Sequence, residues 1–225
     1  MTSIRIDGVS KRFKGALVLD GITMALDSGR VTGLAGANGS GKTMLMRVML
    51  GLVRPTAGTV SYDGRALGHD IDFPPSVGFL IEAPAFLGGY SGLDNLLMIA
   101  SIRDVIGREQ VASAIERVGL DPSSRLPFRK YSLGMKQRLG IACAVMERPD
   151  VVILDEPTNA LDEGGVRMFE HLVADERERG AVVVLACHDG EVMRRLADEI
   201  WHLAEGHLER HEACGVGEFR EAPIP

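Results

Sequence analysis

At 225 residues, 45% of them hydrophobic and 25% charged, the chain has the length and composition to bury a real core. Its net charge of −6 provides no global field for attracting nucleic acid or an anionic membrane surface. The apolar runs, such as residues 181–187, fall well short of the roughly 20 residues a bilayer-spanning helix needs, the N-terminus has no apolar h-region or cleavage site, and three scattered cysteines argue against a disulfide framework or a zinc site. A reduced, cytoplasmic setting is the expectation.

In chain order, Ser3–Val9 and Val18–Leu26 are β-like stretches bounded by turn residues, and residues 58–64, with glycine at each end, read as a hairpin strand. Between them, Arg30–Ala35 is a short strand entering Gly36-Ala37-Asn38-Gly39-Ser40-Gly41-Lys42-Thr43, and Met44–Leu50 is an apolar helix leaving it. That string has the full P-loop spacing. Its glycines let the backbone turn tightly and aim N–H groups at phosphate oxygens, Lys42 can reach the β- and γ-phosphates, and the Thr43 hydroxyl can ligate Mg²⁺. The methionines that follow, Met44, Met46 and Met49, read as core filler.

From about Ser91 the apolar residues recur at helical spacing, first Leu93, Leu96, Leu97 and Ala100, then Val111, Ala114, Ile115 and Val118. Breaks at Gly107 and over 119–122 divide this stretch into a helical insert. Beyond it, Val151–Leu154 and Ala181–Ala186 are continuous β-branched and apolar runs, the pattern of parallel strands covered on both faces, with Val166–Arg179 a helix between them. An α/β core is predicted, with no repeat and no linker rich enough in Pro, Gly or Ser to separate a second domain. The basic residues Arg125, Arg129, Lys130, Lys136 and Arg138 read as a solvated face, and His207, His211 and Cys214 as a frayed polar tail rather than a metal site.

Taken together with Tyr131-Ser132-Leu133-Gly134-Met135-Lys136-Gln137-Arg138 and Leu154-Asp155-Glu156-Pro157-Thr158, the P-loop makes nearly the whole chain resemble the ATP-binding cassette (ABC) ATPases. The first of these strings resembles the ABC signature, with Leu133 and Met135 departing from the commonest form and Ser132 and Gly134 kept. In residues 77–86, similar to the family's Q-loop, Glu82 stands where glutamine is usual. Both variants are similar to those of ATPases that export bacteriocins, lantibiotics and bacitracin-like peptides.

The resemblance implies one cassette over residues 1–225: an α/β P-loop NTPase (RecA-like) core, an N-terminal antiparallel β subdomain and an inserted α-helical signature subdomain at about 83–145. It implies ATP and Mg²⁺ as cofactors. Gly36, Asn38, Gly39, Ser40, Gly41, Lys42 and Thr43 would hold the nucleotide, Thr43, Glu82 and Asp155 the metal, Glu156 would be the general base, and His188 would back it up at the γ-phosphate. Phe13 is either an adenine platform or a core residue. Asp162 lies in a string similar to the D-loop, whose alternative is a plain turn before a helix. Ser132 and Gly134, beginning a helix, would form an anion site that completes the nucleotide site of a second copy.

The partners implied are a polytopic membrane permease on another polypeptide and a homodimer, or a dimer with a related ATPase, at the cytoplasmic face of the membrane, with no nucleic acid. A soluble ABC ATPase acting on nucleic acid or ribosomes, and a nucleotide switch with negligible hydrolysis, are the competing classes.

Overall fold

A computed structural model describes residues 2–214 and places the strands in two sheets. The six-stranded sheet has the order β10-β9-β3-β8-β7-β6, formed by β3 (Arg30–Ala35), β6 (Val77–Leu80), β7 (Val151–Asp155), β8 (Val182–Ala186), β9 (Glu199–Ala204) and β10 (His207–Ala213). All of its pairings are parallel except β9 with β10. Every residue of β7 and β8 is buried, which is what β-branched runs without alternation predict of central parallel strands. The period of two still shows in where the side chains go. Val151, Ile153, Val182 and Val184 join one core, while Val152, Leu154, Val183 and Leu185 join the other.

The first core is closed by an antiparallel sheet of order β2-β1-β4-β5, from β1 (Ser3–Phe13), β2 (Ala16–Asp27), β4 (Ala57–Tyr62) and β5 (Arg65–Ala66), together with α1 (Lys42–Met49). β1 and β2 are longer than the apolar pattern alone predicts, because register shifts let β1 run on past Gly8 while still pairing with β2. The buried Tyr62 hydroxyl donates to the Met49 carbonyl at 2.7 Å and ties the end of α1 to β4. Met46 and Met49 are fully buried, as core filler should be.

The connection from β6 to β7 carries α2 (Gly92–Arg103), α3 (Arg108–Arg117) and α4 (Leu133–Val145). Ser91 caps α2, accepting from the Asp94 N–H at 3.2 Å. The buried Asn95 amide accepts from Leu87 N and donates to the carbonyls of Ser91 and Leu87, at 2.8, 2.9 and 3.1 Å, fixing the loop before the helix. α4 rests on β6 so closely that a Cβ at Gly78 would lie 1.6 Å from the Ala144 carbonyl oxygen.

Two expectations change. The helix after β7, α5 (Glu163–Glu178), starts ahead of Val166 because Asp162 caps it, accepting from Gly165 N at 2.8 Å. Residues 207–213 are a strand rather than a frayed tail: Glu205 and Gly206, both at positive φ, turn the chain so that β10 pairs antiparallel with β9. His211 stacks on Trp201 with ring centroids 4.0 Å apart and its Nε2 lies 3.0 Å from the Glu199 carboxylate. Among the described residues no cluster of His, Cys, Asp and Glu is arranged to hold a metal ion.

Candidate active site

Because β3, β8 and β7 are adjacent and parallel, their C-terminal ends deliver three loops to one edge of the sheet: the P-loop, residues 187–189, and Glu156 with its successors. Ligands in open α/β sheets bind at such carboxyl ends. Two glycines of the P-loop are required by space. A Cβ on Gly36 would lie 2.3 Å from the Leu203 carbonyl oxygen, and one on Gly41 would lie 2.9 Å from the Leu19 side chain; both have positive φ.

Gly41 is the N-cap of α1 and offers no side chain, so the helix N-terminus is open. Among the described residues the backbone N–H groups of Gly39, Gly41, Lys42 and Thr43 find no partner within the chain. Unpaired N–H groups at a helix N-terminus form an anion seat. Lys42 lies along the loop, donating to the carbonyls of Gly36 at 2.6 Å and Ala37 at 3.1 Å. Asn38 stands exposed at the loop crest. Ser40 shapes the loop from within: its N–H donates to Ala37 O at 3.1 Å and its hydroxyl is buried without a partner.

Thr43 Oγ1 donates to Asp155 Oδ2 at 2.6 Å, joining the first turn of α1 to the end of β7. A hydroxyl and a carboxylate are the hard oxygen donors Mg²⁺ takes, and Mg²⁺ needs only one or two protein ligands when phosphates supply others. The donor set therefore fits that ion.

Glu156 follows at φ 51, a left-handed conformation that costs a non-glycine residue about 1–2 kcal/mol. Its N–H donates to Ala186 O at 2.9 Å, and its carboxylate receives the His188 N–H at 3.1 Å and faces His188 Nε2 at 3.3 Å. Burial pushes the Glu156 carboxyl above the ordinary range, against the opposing pull of His188 and its N–H. A raised, positioned carboxylate beside an open phosphate seat has the properties of a general base.

Phe13, at the end of β1, is 52% exposed with Lys14 Nζ 5.7 Å from its ring centre, so the core reading fails. Glu82, also at positive φ, is exposed and its carboxylate is ion-paired with Arg47 of α1. Lys42, Thr43, Asp155, Glu156 and His188 are thus brought together at one sheet edge.

Ser132 and Gly134 stand apart at the start of α4. Ser132 caps the helix, accepting from Met135 N at 3.2 Å, and Gly134 packs so closely that a Cβ would lie 2.8 Å from Ala160 O. Asp162 accepts from Arg138 Nη2 at 2.9 Å, and Arg138 also donates to Val118 O at 2.9 Å, so one residue of the basic cluster points inward instead of into solvent. The Gly165 N–H and the Arg138 guanidinium hold the Asp162 carboxyl below the usual carboxylate range. Gln137 is a site residue that sequence reasoning misses: its side-chain amide donates to the carbonyls of Glu156 at 3.0 Å and Pro157 at 3.1 Å. Its carbonyl partners lie 19 and 20 residues further along the chain, so no spacing within α4 could have found it.

The model of the ABC transporter family matches residues 19–159. The chain belongs to the ABC transporter family. An uncharacterized ABC transporter ATP-binding protein of Bacillus subtilis (strain 168), YybJ, is 40% identical over 93% of this chain and 96% of its own length. The bacitracin transport ATP-binding protein BcrA of Enterococcus faecalis is 38% identical over 91% of this chain and 67% of its own. The lantibiotic transport ATP-binding protein SrtF of Streptococcus pyogenes is 31% identical over 91% and 88%.

Among solved structures, a dimeric ATP-binding cassette in a post-hydrolysis state, bound to ADP and Pi, superposes with a TM-score of 0.85 at 22% identity, covering 94% of this chain and 99% of that one. That likeness establishes the P-loop NTPase cassette fold. The cassette is an ABC transporter ATP-binding subunit and an ATPase.

Proposed function

We propose that this cassette hydrolyses MgATP as half of a head-to-tail dimer and energises a separate polytopic membrane permease that exports a peptide antibiotic or a related hydrophobic compound. The observation that carries the reading is the split within one chain: a hydrolytic half converges around the P-loop, while Ser132 and Gly134 begin α4 with no hydrogen bond to that half among the described residues. Relatives that transport bacitracin and lantibiotics support the substrate class. The alternative of a soluble ATPase acting on nucleic acid or ribosomes is not favoured, since the named relatives are transport subunits and the net charge is −6.

In this reading residues 1–225 form one cassette, with residues 83–145 its helical subdomain. The loop N–H groups and Lys42 bind the β- and γ-phosphates, and Phe13 stacks on adenine. Thr43 and Asp155 hold Mg²⁺, which supplies charge neutralisation at the transferring phosphoryl group. Glu156 accepts the proton of the attacking water while His188 orients the carboxylate. Ser132 and Gly134 of a second copy close the site from the opposite side, with Asp162 at the seam. Glu82, once released from Arg47, would offer the metal a second carboxylate. Among the described residues no helix is long and apolar enough to cross a membrane. In this reading the membrane path belongs to the permease, and the cassette sits at its cytoplasmic face.

Mixing Lys42→Ala chains with Ser132→Arg chains tests the shared sites. In the mixed dimer both lesions fall on one site and the other is chemically whole, whereas each homodimer has two damaged sites. ATPase activity of the mixture above that of either homodimer is expected; activity no greater than theirs at saturating MgATP, in a dimer verified by light scattering, overturns shared sites that work independently. Substrate export by the cassette reconstituted with its permease tests the transport reading.

A further inference from the structure

We propose that Gln137 is a positioning residue for hydrolysis, holding the peptide bonds of Glu156 and Pro157, and through them the base, from the first turns of the signature helix. The inference rests on the reading of Glu156 as general base. The Gln137 amide has two N–H donors and spends them on consecutive carbonyls, of Glu156 at 3.0 Å and Pro157 at 3.1 Å. These peptide groups need holding, because Glu156 sits at φ 51, where a non-glycine residue persists only when its surroundings over-determine it.

The remaining restraints come from elsewhere. Glu156 N is tied to Ala186 O at 2.9 Å, and Glu156 O also accepts from Asn159 N at 3.2 Å within its own loop. Gln137 is the side chain that fixes this backbone from another subdomain. Its helix face also carries Gly134, in close contact with Ala160 O, and Arg138, bonded to Asp162 at 2.9 Å. The first turns of α4 therefore grip the loop from Glu156 to Asp162 at successive points. A displacement of α4 shifts the peptide on which the base stands, so engagement of Ser132 and Gly134 with a second copy's nucleotide is felt at this chain's own Glu156.

The test uses the full chain with four variants: Gln137→Met, which keeps the length and removes the donors; Gln137→Lys, which restores donors; Glu156→Gln; and the double variant Glu156→Gln with Gln137→Met. Steady-state kcat and KM, equilibrium MgATP affinity and thermal midpoint are measured for each. Gln137→Met is expected to lower kcat roughly 10- to 100-fold, the scale of a small misplacement of a catalytic group, with KM and MgATP affinity within about twofold of the parent. Gln137→Lys should regain most of kcat, and the double variant should be no slower than Glu156→Gln alone.

A parent-like kcat in Gln137→Met, a loss of nucleotide affinity equal to its loss of kcat, or losses that multiply in the double variant would each overturn the proposal. If Glu156→Gln is inactive while Gln137→Met is parent-like, only the positioning role fails. If Glu156→Gln turns over like the parent, the base assignment fails and takes the positioning role with it.

Discussion

The P-loop half of the site stands on β3, β7 and β8, nearly all of whose side chains are buried, whereas the signature half stands on the first turn of α4, where Leu133 is 73% exposed. The strand-borne half is closed on itself: Lys42 on its loop carbonyls, Thr43 on Asp155, His188 on Glu156. The helix-borne half holds its backbone by an N-cap and a close contact with Ala160, leaving its outer face free. In the proposed reading, rigid elements position the groups that act within one chain, and an exposed helix start presents the groups that act on another. The division makes Glu156→Gln and Ser132→Arg different kinds of lesion.

The largest effect is expected from the strand-borne half. Glu156→Gln keeps the shape of the site and removes the proton acceptor, so kcat should fall by about 10² to 10⁴ while MgATP binding survives. Size-exclusion chromatography with light scattering should find the variant as a dimer in MgATP and a monomer without it. Hydrolysis at the parental rate would show that this half is not the hydrolytic one.

The contact between the halves comes next. At Gly78 the sheet meets α4 with no room for a methyl group, and pairing with β7 prevents β6 from retreating. Gly78→Ala should destabilise the fold by about 1–3 kcal/mol, the usual cost of overpacking, in urea denaturation. A stability equal to the parent's would mean that α4 is not seated on the sheet as described.

Phe13 tests the proposed adenine seat. Removing an aromatic platform for a base costs about 1–3 kcal/mol, so Phe13→Ala should weaken ATP binding in calorimetry by roughly 5- to 150-fold, with Phe13→Trp close to the parent. Unchanged affinity in Phe13→Ala would remove the adenine role and leave the phosphate seat intact.

The same contrast explains what the sequence made legible. The strand-borne half is written locally: β-branched runs name β7 and β8, and the residues at Gly36–Thr43 and Asp155–Glu156 act where the chain places them. What escaped was long-range or edge-bound. β10 is a mostly exposed edge strand with polar residues at nearly every position, so no alternation marks it. The Arg47–Glu82 pair and the Gln137 bonds join residues 35 and 19–20 positions apart, which no spacing within one element reveals. The early start of α5 follows from Asp162 acting as a cap, a role the D-loop resemblance masked.

The smallest effect concerns the link between the halves at Asp162. The Gly165 N–H and Arg138 depress the folded-state pKa of this exposed carboxyl below its unfolded value. A depressed carboxyl contributes stability above the unfolded pKa, and that contribution is lost as pH falls through the folded value. Asp162→Asn preserves a capping oxygen for α5 but removes the charge that attracts Arg138. The parent should therefore melt slightly above the variant at neutral pH, and the two midpoints should converge as the solution is acidified through the carboxylate range. Added salt should narrow the neutral-pH gap, since an exposed pair is screened. A gap that persists undiminished in acid would mean that shape rather than charge joins α4 to the loop, leaving Gln137 and Gly134 as the contacts through which the helix grips it.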